Sequence, residues 1–514
     1  MFKITNRLKN IAKILMIIGF VSICFSIFNS TQNQYTDLEI HENLIEIVNK
    51  DFSSIYNNLN VDSIYPAKDT ADIFSKQAGR TDLRYMAASK LKLDTSILNA
   101  IIDTAESSMH FHLKNKEIKS ISSLYELEKK LRKFYHTKLS KPWTSLLFNN
   151  YFFLGISIFA VFFIALQYVS EAAWSIVIKR IPEAVLSFLP YTGIMMLVIA
   201  VAGALHWHHI YHWMAEGVID QTYSIGVYKP YDKIIDGKSA FLDVTFFLIR
   251  SLIYVVGWIY FARKLKSLSL TEDLNGGINY YNKSIKTSAW FIVFFAVTSS
   301  VASWDWIMSI DSHWFSTIFG WFIFAEWAAI GFTTILLITL YLKSQGYLKY
   351  VNNSHIHDLG KWVFAFSLVW TYTWFCQYML IWYSNIPEEV AYYTARLEVD
   401  NYRFLFWFSM LISFILPLIL LMSAPSKTNH KRLIFVSIVI LIGHWLNSYL
   451  LVAPGSLNTH GNIGWTEIAT GLGFVGAFIY IVFQSLSKVP LETKNHPYLD
   501  ESKNLHSYPH EDSH

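Results

Sequence analysis

Long, unbroken runs of apolar residues recur along this chain of 514 residues. A bilayer core about 30 Å thick needs about 20 mostly apolar residues in a helix. Transmembrane β-barrels show short stretches that alternate apolar and polar residues instead. The pattern therefore predicts an all-α integral membrane protein with about ten transmembrane helices, at 11–28, 147–169, 184–205, 240–262, 289–308, 318–341, 361–384, 402–421, 433–452 and 465–486.

The composition agrees with a chain that faces lipid over much of its surface. Hydrophobic residues make up 53% and charged residues only 16%, whereas soluble domains carry about 25% charged residues. The 18 Trp and 30 Tyr residues favour the two membrane interfaces. The net charge of +4 is small, and its basic residues lie in short loops, which indicates membrane topology rather than nucleic-acid binding.

The two cysteines argue against a metal centre in this chain. Cys24 and Cys376 both lie in apolar segments, and the sequence contains no CxxC, CxxCH or Cys/His cluster. Those patterns are the ones that hold iron–sulfur clusters, c-type haem or structural zinc. We therefore predict no metal and no covalently bound cofactor here.

The distribution of basic residues predicts the topology. The N-terminal segment has a basic start and an apolar core without an A-x-A-like cleavage site, which favours an uncleaved signal anchor. Lys and Arg concentrate in alternate short loops, and such loops face the cytoplasm. We expect a multi-pass protein of the bacterial inner (cytoplasmic) membrane with both termini cytoplasmic.

This topology gives six parts: a signal-anchor helix at 1–29, a periplasmic insert at 30–145, a first four-helix bundle at 146–308, a second four-helix bundle at 309–452, a last transmembrane helix at 453–487 and a cytoplasmic tail at 488–514. The insert has helical patterns at 83–98 and 118–134, and we interpret it as a packed cap or a partner-docking surface. The tail is polar, and we expect it to be disordered or bound to a partner.

Three ionisable residues within or beside the predicted spans are candidates for a proton path. They are Glu171, Glu326 and His444. Ionisable side chains at membrane depth are costly unless they are paired or hydrated. A buried carboxylate or an imidazole can relay protons. The alternative for each is a packing role, and Glu467, at the start of the last span, is more simply explained as a solvated end or an N-cap neighbour.

Four residues on the predicted outer side are candidates for quinone binding: His206, Asp243, Arg250 and Asp305. Asp243 and Arg250 are seven residues apart and share one helical face. His or Asp near a quinol hydroxyl could accept its protons. Charge neutralisation between packed helices is the alternative. The run from His206 to Trp213 contains four histidines, and an interfacial aromatic belt explains it better than a haem or metal site.

Three stretches resemble the NrfD/polysulfide-reductase-like membrane subunits of bacterial alternative complex III. They are 305–309 (DWIMS) with 313–320 (HWFSTIFG), 357–361 (HDLGK), and Gln377 with 381–389 (IWYSNIPEE). The resemblance covers nearly the whole chain apart from the insert. The stretches 168–174 (YVSEAAW) and 179–183 (KRIPE) are most similar to the F subunit, one of two related membrane subunits.

The resemblance implies two four-helix bundles, spans two to five and six to nine, flanked by spans one and ten. It implies a complex that oxidises menaquinol and passes electrons to cytochrome c or directly to a terminal oxidase. Haem and iron–sulfur centres would belong to partner subunits, and the membrane subunits would carry no metal. Menaquinone would bind the related C membrane subunit more readily than this chain.

We therefore expect a membrane subunit of a menaquinol:cytochrome c oxidoreductase, contributing scaffold, a quinone contact and a proton-conduction route. A secondary transporter is the first alternative, since such proteins are also built from paired helical bundles. We find no pair of spans broken by Gly or Pro in corresponding halves and count Pro417 as the interruption of a span interior, which argues against the broken helices typical of transporters. An NrfD-type subunit of another quinone-linked oxidoreductase, such as a molybdoenzyme, is the second alternative.

Overall fold

The computed structural model describes residues 2–31, 121–222 and 231–506. Within these residues all regular secondary structure is helical, which confirms the all-α prediction. The α-helices are α1 Asn6–Thr31, α2 Ile121–Val169, α3 Arg180–Val185, α4 Leu189–Ala204, α5 Lys233–Asp236, α6 Val244–Asn275, α7 Ile278–Trp306, α8 Phe319–Ser344, α9 Asn353–Ser384, α10 Pro387–Leu397, α11 Asp400–Met410, α12 Leu416–Leu421, α13 His430–Leu457, α14 Trp465–Ser487 and α15 Leu499–Lys503.

Nine helical stretches in the described residues are long and apolar enough to cross a membrane. They are Asn6–Thr31, Tyr135–Val169, Ile176–Ala204, Val244–Asn275, Ile278–Trp306, Phe319–Ser344, Asp400–Leu421, His430–His460 and Trp465–Ser487. The multi-span membrane fold is therefore confirmed. The one predicted segment that is not among them, 361–384, lies in α9, whose 32 residues are long enough but include many polar and interfacial side chains. The grouping into two four-helix bundles stays a prediction.

The chain divides into two compact units. The first contains residues 1–26, 142–212 and 241–514, and the second contains 27–141 and 213–240. Most of the predicted insert, including the pattern at 83–98, lies outside the described residues. The helical pattern at 118–134 is confirmed from residue 121 onward, because α2 runs without interruption from Ile121 to Val169.

In the first unit, α1 packs closely on α14 through glycine. A Cβ on Gly19 would lie 2.4 Å from the Gly473 Cα, so neither position has room for a side chain. Such small residues let membrane helices approach closely. The other faces of α1 are apolar and exposed, for example Phe20 and Phe25. A helix with this distribution suits a lipid-facing position at the edge of the unit.

More helices contain an internal proline than the spans predicted from the sequence indicated. Pro142 lies within α2 and Pro454 within α13, and Pro417 follows a π-helical stretch, Leu411–Ile415. The predicted spans 147–169 and 433–452 stopped short of the first two prolines, whereas the helices continue past them. The inference that Pro417 alone interrupts the interior of a span is therefore wrong, and Pro190, within the predicted span 184–205, also contradicts it.

Residues 488–506 of the C-terminal tail dock on their own chain, contrary to the expectation of a disordered or partner-bound strand. The imidazole of His355, at the start of α9, contacts the carbonyl oxygen of Ser502 at 3.0 Å. Asn352 donates to the Leu505 carbonyl at 2.7 Å. The Ser502 hydroxyl donates to the carbonyl of Trp174 at 3.2 Å. The tail thus docks on its own chain through backbone groups that its polar composition did not reveal.

Candidate functional site

Glu326 and His444, both predicted from their depth in apolar segments, lie beside each other. Glu326 lies on α8 and His444 on α13, and the distance from Glu326 Oε1 to His444 Nδ1 is 3.9 Å. Both residues are at most 1% exposed. Asn447 Nδ2 donates to Glu326 Oε2 at 3.0 Å, and the Ser448 hydroxyl donates to Oε1 at 3.2 Å. The structure therefore joins these two predicted residues in one buried group.

The spacing on α13 explains how one helix supplies this group. Residues 444, 447 and 448 are three and four apart, so they lie on the same helical face. His444 packs edge-on against the ring of Trp370, with centroids 4.8 Å apart. Neither imidazole nitrogen has a hydrogen-bond partner among the described residues. A carboxyl group and an imidazole separated by slightly more than hydrogen-bond length can exchange a proton after a small movement.

Arg250 and Asp305 form the second buried polar group, on α6 and α7. Arg250 Nε donates to Asp305 Oδ2 at 2.9 Å, and Nη2 donates to Oδ1 at 2.6 Å. This two-point geometry is the strong form of an arginine–carboxylate pair. The Tyr254 hydroxyl, one turn after Arg250, donates to Asp305 Oδ2 at 2.8 Å. Asp305 is fully buried, so α6 supplies both donors to one carboxylate of α7.

Two aromatic rings flank the Arg250 guanidinium, and one of its own N–H donors has no partner in the described part of the chain. Its Cζ lies 4.1 Å from the ring centroids of both Phe241 and Phe246, and Nη2 also donates to the Phe241 carbonyl at 3.0 Å. Its Nη1 is buried and has no hydrogen-bond partner among the described residues. A buried N–H group normally has an acceptor. Within the described ranges, Nη1 therefore lacks the acceptor that a buried donor normally has.

The other two predicted outer-side residues serve different purposes. Asp243 is the exposed N-cap of α6, and its carboxylate accepts from the Phe246 backbone N–H at 2.7 Å. His206 is exposed and adopts a positive φ of 57° just after α4. The structure brings Arg250 and Asp305 together and does not show either of the other two in contact with them.

One histidine of the run from His206 to Trp213 is buried. His208 Nε2 contacts the Ile199 carbonyl at 3.0 Å, and its Nδ1 accepts from the Ile210 N–H at 3.3 Å. Burial lowers the pKa of His208 to about 4, so the ring is neutral and bonded through both nitrogens. In the described residues, no group of three or more His, Cys, Asp or Glu side chains is placed to hold a metal ion.

Glu171 lies apart from the Glu326–His444 group. It occupies the turn after α2 with a φ of 50° and is exposed. Its carboxylate accepts from the Tyr498 hydroxyl of the C-terminal tail at 3.3 Å.

Glu467 is buried, not solvated: it accepts from the Gly464 N–H at 2.8 Å and from the Ser145 hydroxyl at 2.9 Å. The N-cap interpretation of Glu467 fits these contacts.

Two buried ionic groups were missed from the sequence. Arg396 on α10 is 2% exposed and pairs with Asp311 at 3.0 Å. At the predicted cytoplasmic end, Lys179 pairs with Glu272 at 3.2 Å, and Arg180 pairs with Glu183 and Asp273. The topology argument treated Lys179 and Arg180 as charges of a cytoplasmic loop and did not predict partners for them. Most of the acidic partners are about 90 residues away along the chain, so no local pattern reveals the pairing.

The sequence matches no known protein-family model, and it matches no curated protein significantly. The fold and the two buried groups define the class of this chain: it is a multi-span helical membrane protein with ionisable side chains at membrane depth.

Proposed function

We propose that this chain is a non-metallated membrane subunit of a respiratory menaquinol:cytochrome c oxidoreductase of the alternative complex III type, in which it carries a proton route and a quinone contact. The contact of Glu326 with His444 supports the proton route most directly. The resemblance of three sequence stretches to the NrfD-like membrane subunits supports membership of the complex.

The proton route rests on the chemistry of the Glu326–His444 group. Among the described residues, neither side chain has a fixed cation or anion beside it, apart from the other at 3.9 Å. A buried charge without a full partner is costly, so such groups are retained where they serve a function. Asn447 and Ser448 both donate to Glu326 and so can stabilise its ionised form. These contacts let Glu326 hold a proton and also release it.

The quinone contact rests on the free Nη1 of Arg250. A quinone carbonyl is an acceptor, and the planar guanidinium presents a fixed donor to it. Phe241 and Phe246 flank the same guanidinium and would pack against an apolar ring. A bound menaquinol would supply two electrons and two protons. Asp305 is committed to Arg250 and Tyr254, so its role here is to orient the arginine.

Co-purification tests membership of the complex. The chain would be tagged at its own locus, extracted in mild detergent and examined for haem absorption and for iron–sulfur signals by electron paramagnetic resonance. The proposal predicts partners that carry both kinds of centre, together with quinol-dependent reduction of cytochrome c. Haem and iron–sulfur centres accompanied by a molybdenum cofactor would assign the chain to another quinone-linked oxidoreductase.

A secondary transporter remains the second candidate, because α13 contains Pro454 and Pro417 follows a π-helical stretch. Discontinuous helices line the substrate sites of transporters, and proline weakens a helix by removing a backbone hydrogen bond. A transporter would purify without redox partners and would move solute in proteoliposomes. That result would refute the respiratory proposal.

A further inference from the structure

Pro454 leaves one backbone carbonyl of α13 without its helical donor. Proline has no N–H, so the carbonyl four residues earlier, that of Leu450, has no intrahelical partner. At membrane depth such a group needs a donor from elsewhere. Arg396 of α10 supplies it: Nε donates to the Leu450 carbonyl at 3.1 Å, and Nη2 lies 3.4 Å from the Leu451 carbonyl. A side chain thus replaces the missing backbone N–H.

The same guanidinium joins two further elements to α13. Nη2 donates to Asp311, in the connection between α7 and α8, at 3.0 Å. Nη1 donates to the Tyr392 carbonyl of its own helix at 2.7 Å, and Cζ lies 3.4 Å from the Tyr392 ring centroid. A Cβ on Gly455 would lie 2.8 Å from Asp311 Oδ1. Glycine at this position therefore permits the close approach of Asp311.

The carbonyls that Arg396 holds lie within one turn of the donors to Glu326. Asn447 and Ser448 are two to three residues before Leu450 on α13, whereas Glu326 is on α8. A rotation or tilt of this proline-weakened turn would move both donors relative to the carboxyl group. The orientation of α13 at this level therefore decides whether Glu326 keeps its hydrogen bonds.

We propose that Arg396 is a positioning residue for Glu326: by replacing the N–H that Pro454 lacks, it fixes the turn of α13 that presents Asn447 and Ser448. The inference rests on the proposed function, in that Glu326 exchanges protons. Lysine cannot take over this role, since an ammonium group lacks the planar fork that reaches the Asp311 carboxylate and the two carbonyls of α13 together.

The test is a pH titration of the purified full-length protein by infrared difference spectroscopy, following the carboxyl band that Glu326→Gln removes. Arg396→Lys should change the proton affinity of Glu326 about tenfold, because hydrogen bonds act unequally on the neutral and charged carboxyl group. Arg403→Lys is the matched control: Arg403 is half exposed, and its variant should titrate as wild type does.

Pro454→Ala gives the decisive comparison, because alanine restores the N–H that Arg396 replaces. In the double variant Pro454→Ala with Arg396→Lys, the change in the proton affinity of Glu326 should be less than half of the change that Arg396→Lys causes alone. If Arg396→Lys does not fold, Asp311→Asn and Gly455→Ala serve in its place. Both variants disturb the contacts of the Arg396 guanidinium, so both should shift the Glu326 titration in the same direction.

Two outcomes separate the inference from the proposed function. A Glu326 band that titrates identically in wild type and in folded Arg396 or Asp311 variants would overturn the positioning role alone. An equal effect of Arg396→Lys with and without Pro454 would do the same. A Glu326 carboxyl group that does not titrate in the wild-type protein would instead refute the proton route itself.

Discussion

Replacement of Asp305 by asparagine tests the buried pair on α6 and α7 most sharply. The substitution keeps the size of the side chain and removes its charge, so Arg250 would remain buried with the Phe241 carbonyl as its main acceptor. Breaking a buried ion pair from one side costs about 3–5 kcal/mol. The amide oxygen of the introduced asparagine could still accept one bond, so we expect a loss near the lower end, about 3 kcal/mol in the free energy of unfolding.

The assay is unfolding of the purified protein in mixed detergent micelles by increasing sodium dodecyl sulfate, followed by tryptophan fluorescence. Asp243→Asn is the matched control, because it makes the same change on the exposed N-cap of α6. Asparagine caps helices about as well as aspartate, so this variant should stay within about 0.5 kcal/mol of wild type. The double variant Arg250→Met with Asp305→Leu should recover most of the stability lost in Asp305→Asn.

Equal stabilities of Asp305→Asn and Asp243→Asn would refute this reasoning. They would mean that solvent or lipid headgroups screen Arg250 in the folded state. A double variant less stable than Asp305→Asn would also contradict it, since the removal of both charges leaves no buried ion to compensate.

Further predictions concern the tail and the first helix. Burial lowers the pKa of His355 to about 4 and that of His496 to about 3, below the ordinary value near 6.5. Protonation therefore favours the undocked tail, and docking should weaken as the pH falls from 6.5 towards 4, by up to about tenfold per pH unit for each histidine. The hydrogen-exchange protection factors of residues 488–506, taken relative to the intrinsic exchange rate at each pH, should fall in this window, and protection factors that do not change with pH would contradict the prediction. Gly473→Leu should displace α1, because Gly19 lies against it; faster proteolysis at the end of α1 would show this, and wild-type resistance would argue against the contact.

The hydrophobic pattern predicted the helical membrane fold correctly because continuous apolar stretches have few alternatives in a bilayer. It was less accurate at helix ends. α13 extends to Leu457, past Pro454, although the apolar run weakens near residue 452. A proline near a helix end is tolerated when a side chain such as Arg396 satisfies the freed carbonyl, and that compensation lies far away in the sequence.

Depth alone was enough to single out Glu326 and His444, since both lie in strongly apolar segments. Their contact depends on how α8 packs against α13, which periodicity does not specify. Arg250 was identified for the same reason and was grouped with Asp305, but Asp243 was included in the same group because it shares a helical face with Arg250. The spacing of seven residues places both on one side of α6, whereas the N-cap geometry turns Asp243 towards the helix end.

The measurement that bears most directly on the central claim is the number of protons released per quinol oxidised, with the purified complex in sealed proteoliposomes. Glu326→Gln keeps the shape of the side chain and an acceptor oxygen, so assembly and cytochrome c reduction should persist. If protons pass through Glu326, the ratio should fall in this variant relative to wild type. An unchanged ratio, at an equal rate of quinol oxidation, would remove Glu326 from the proton route.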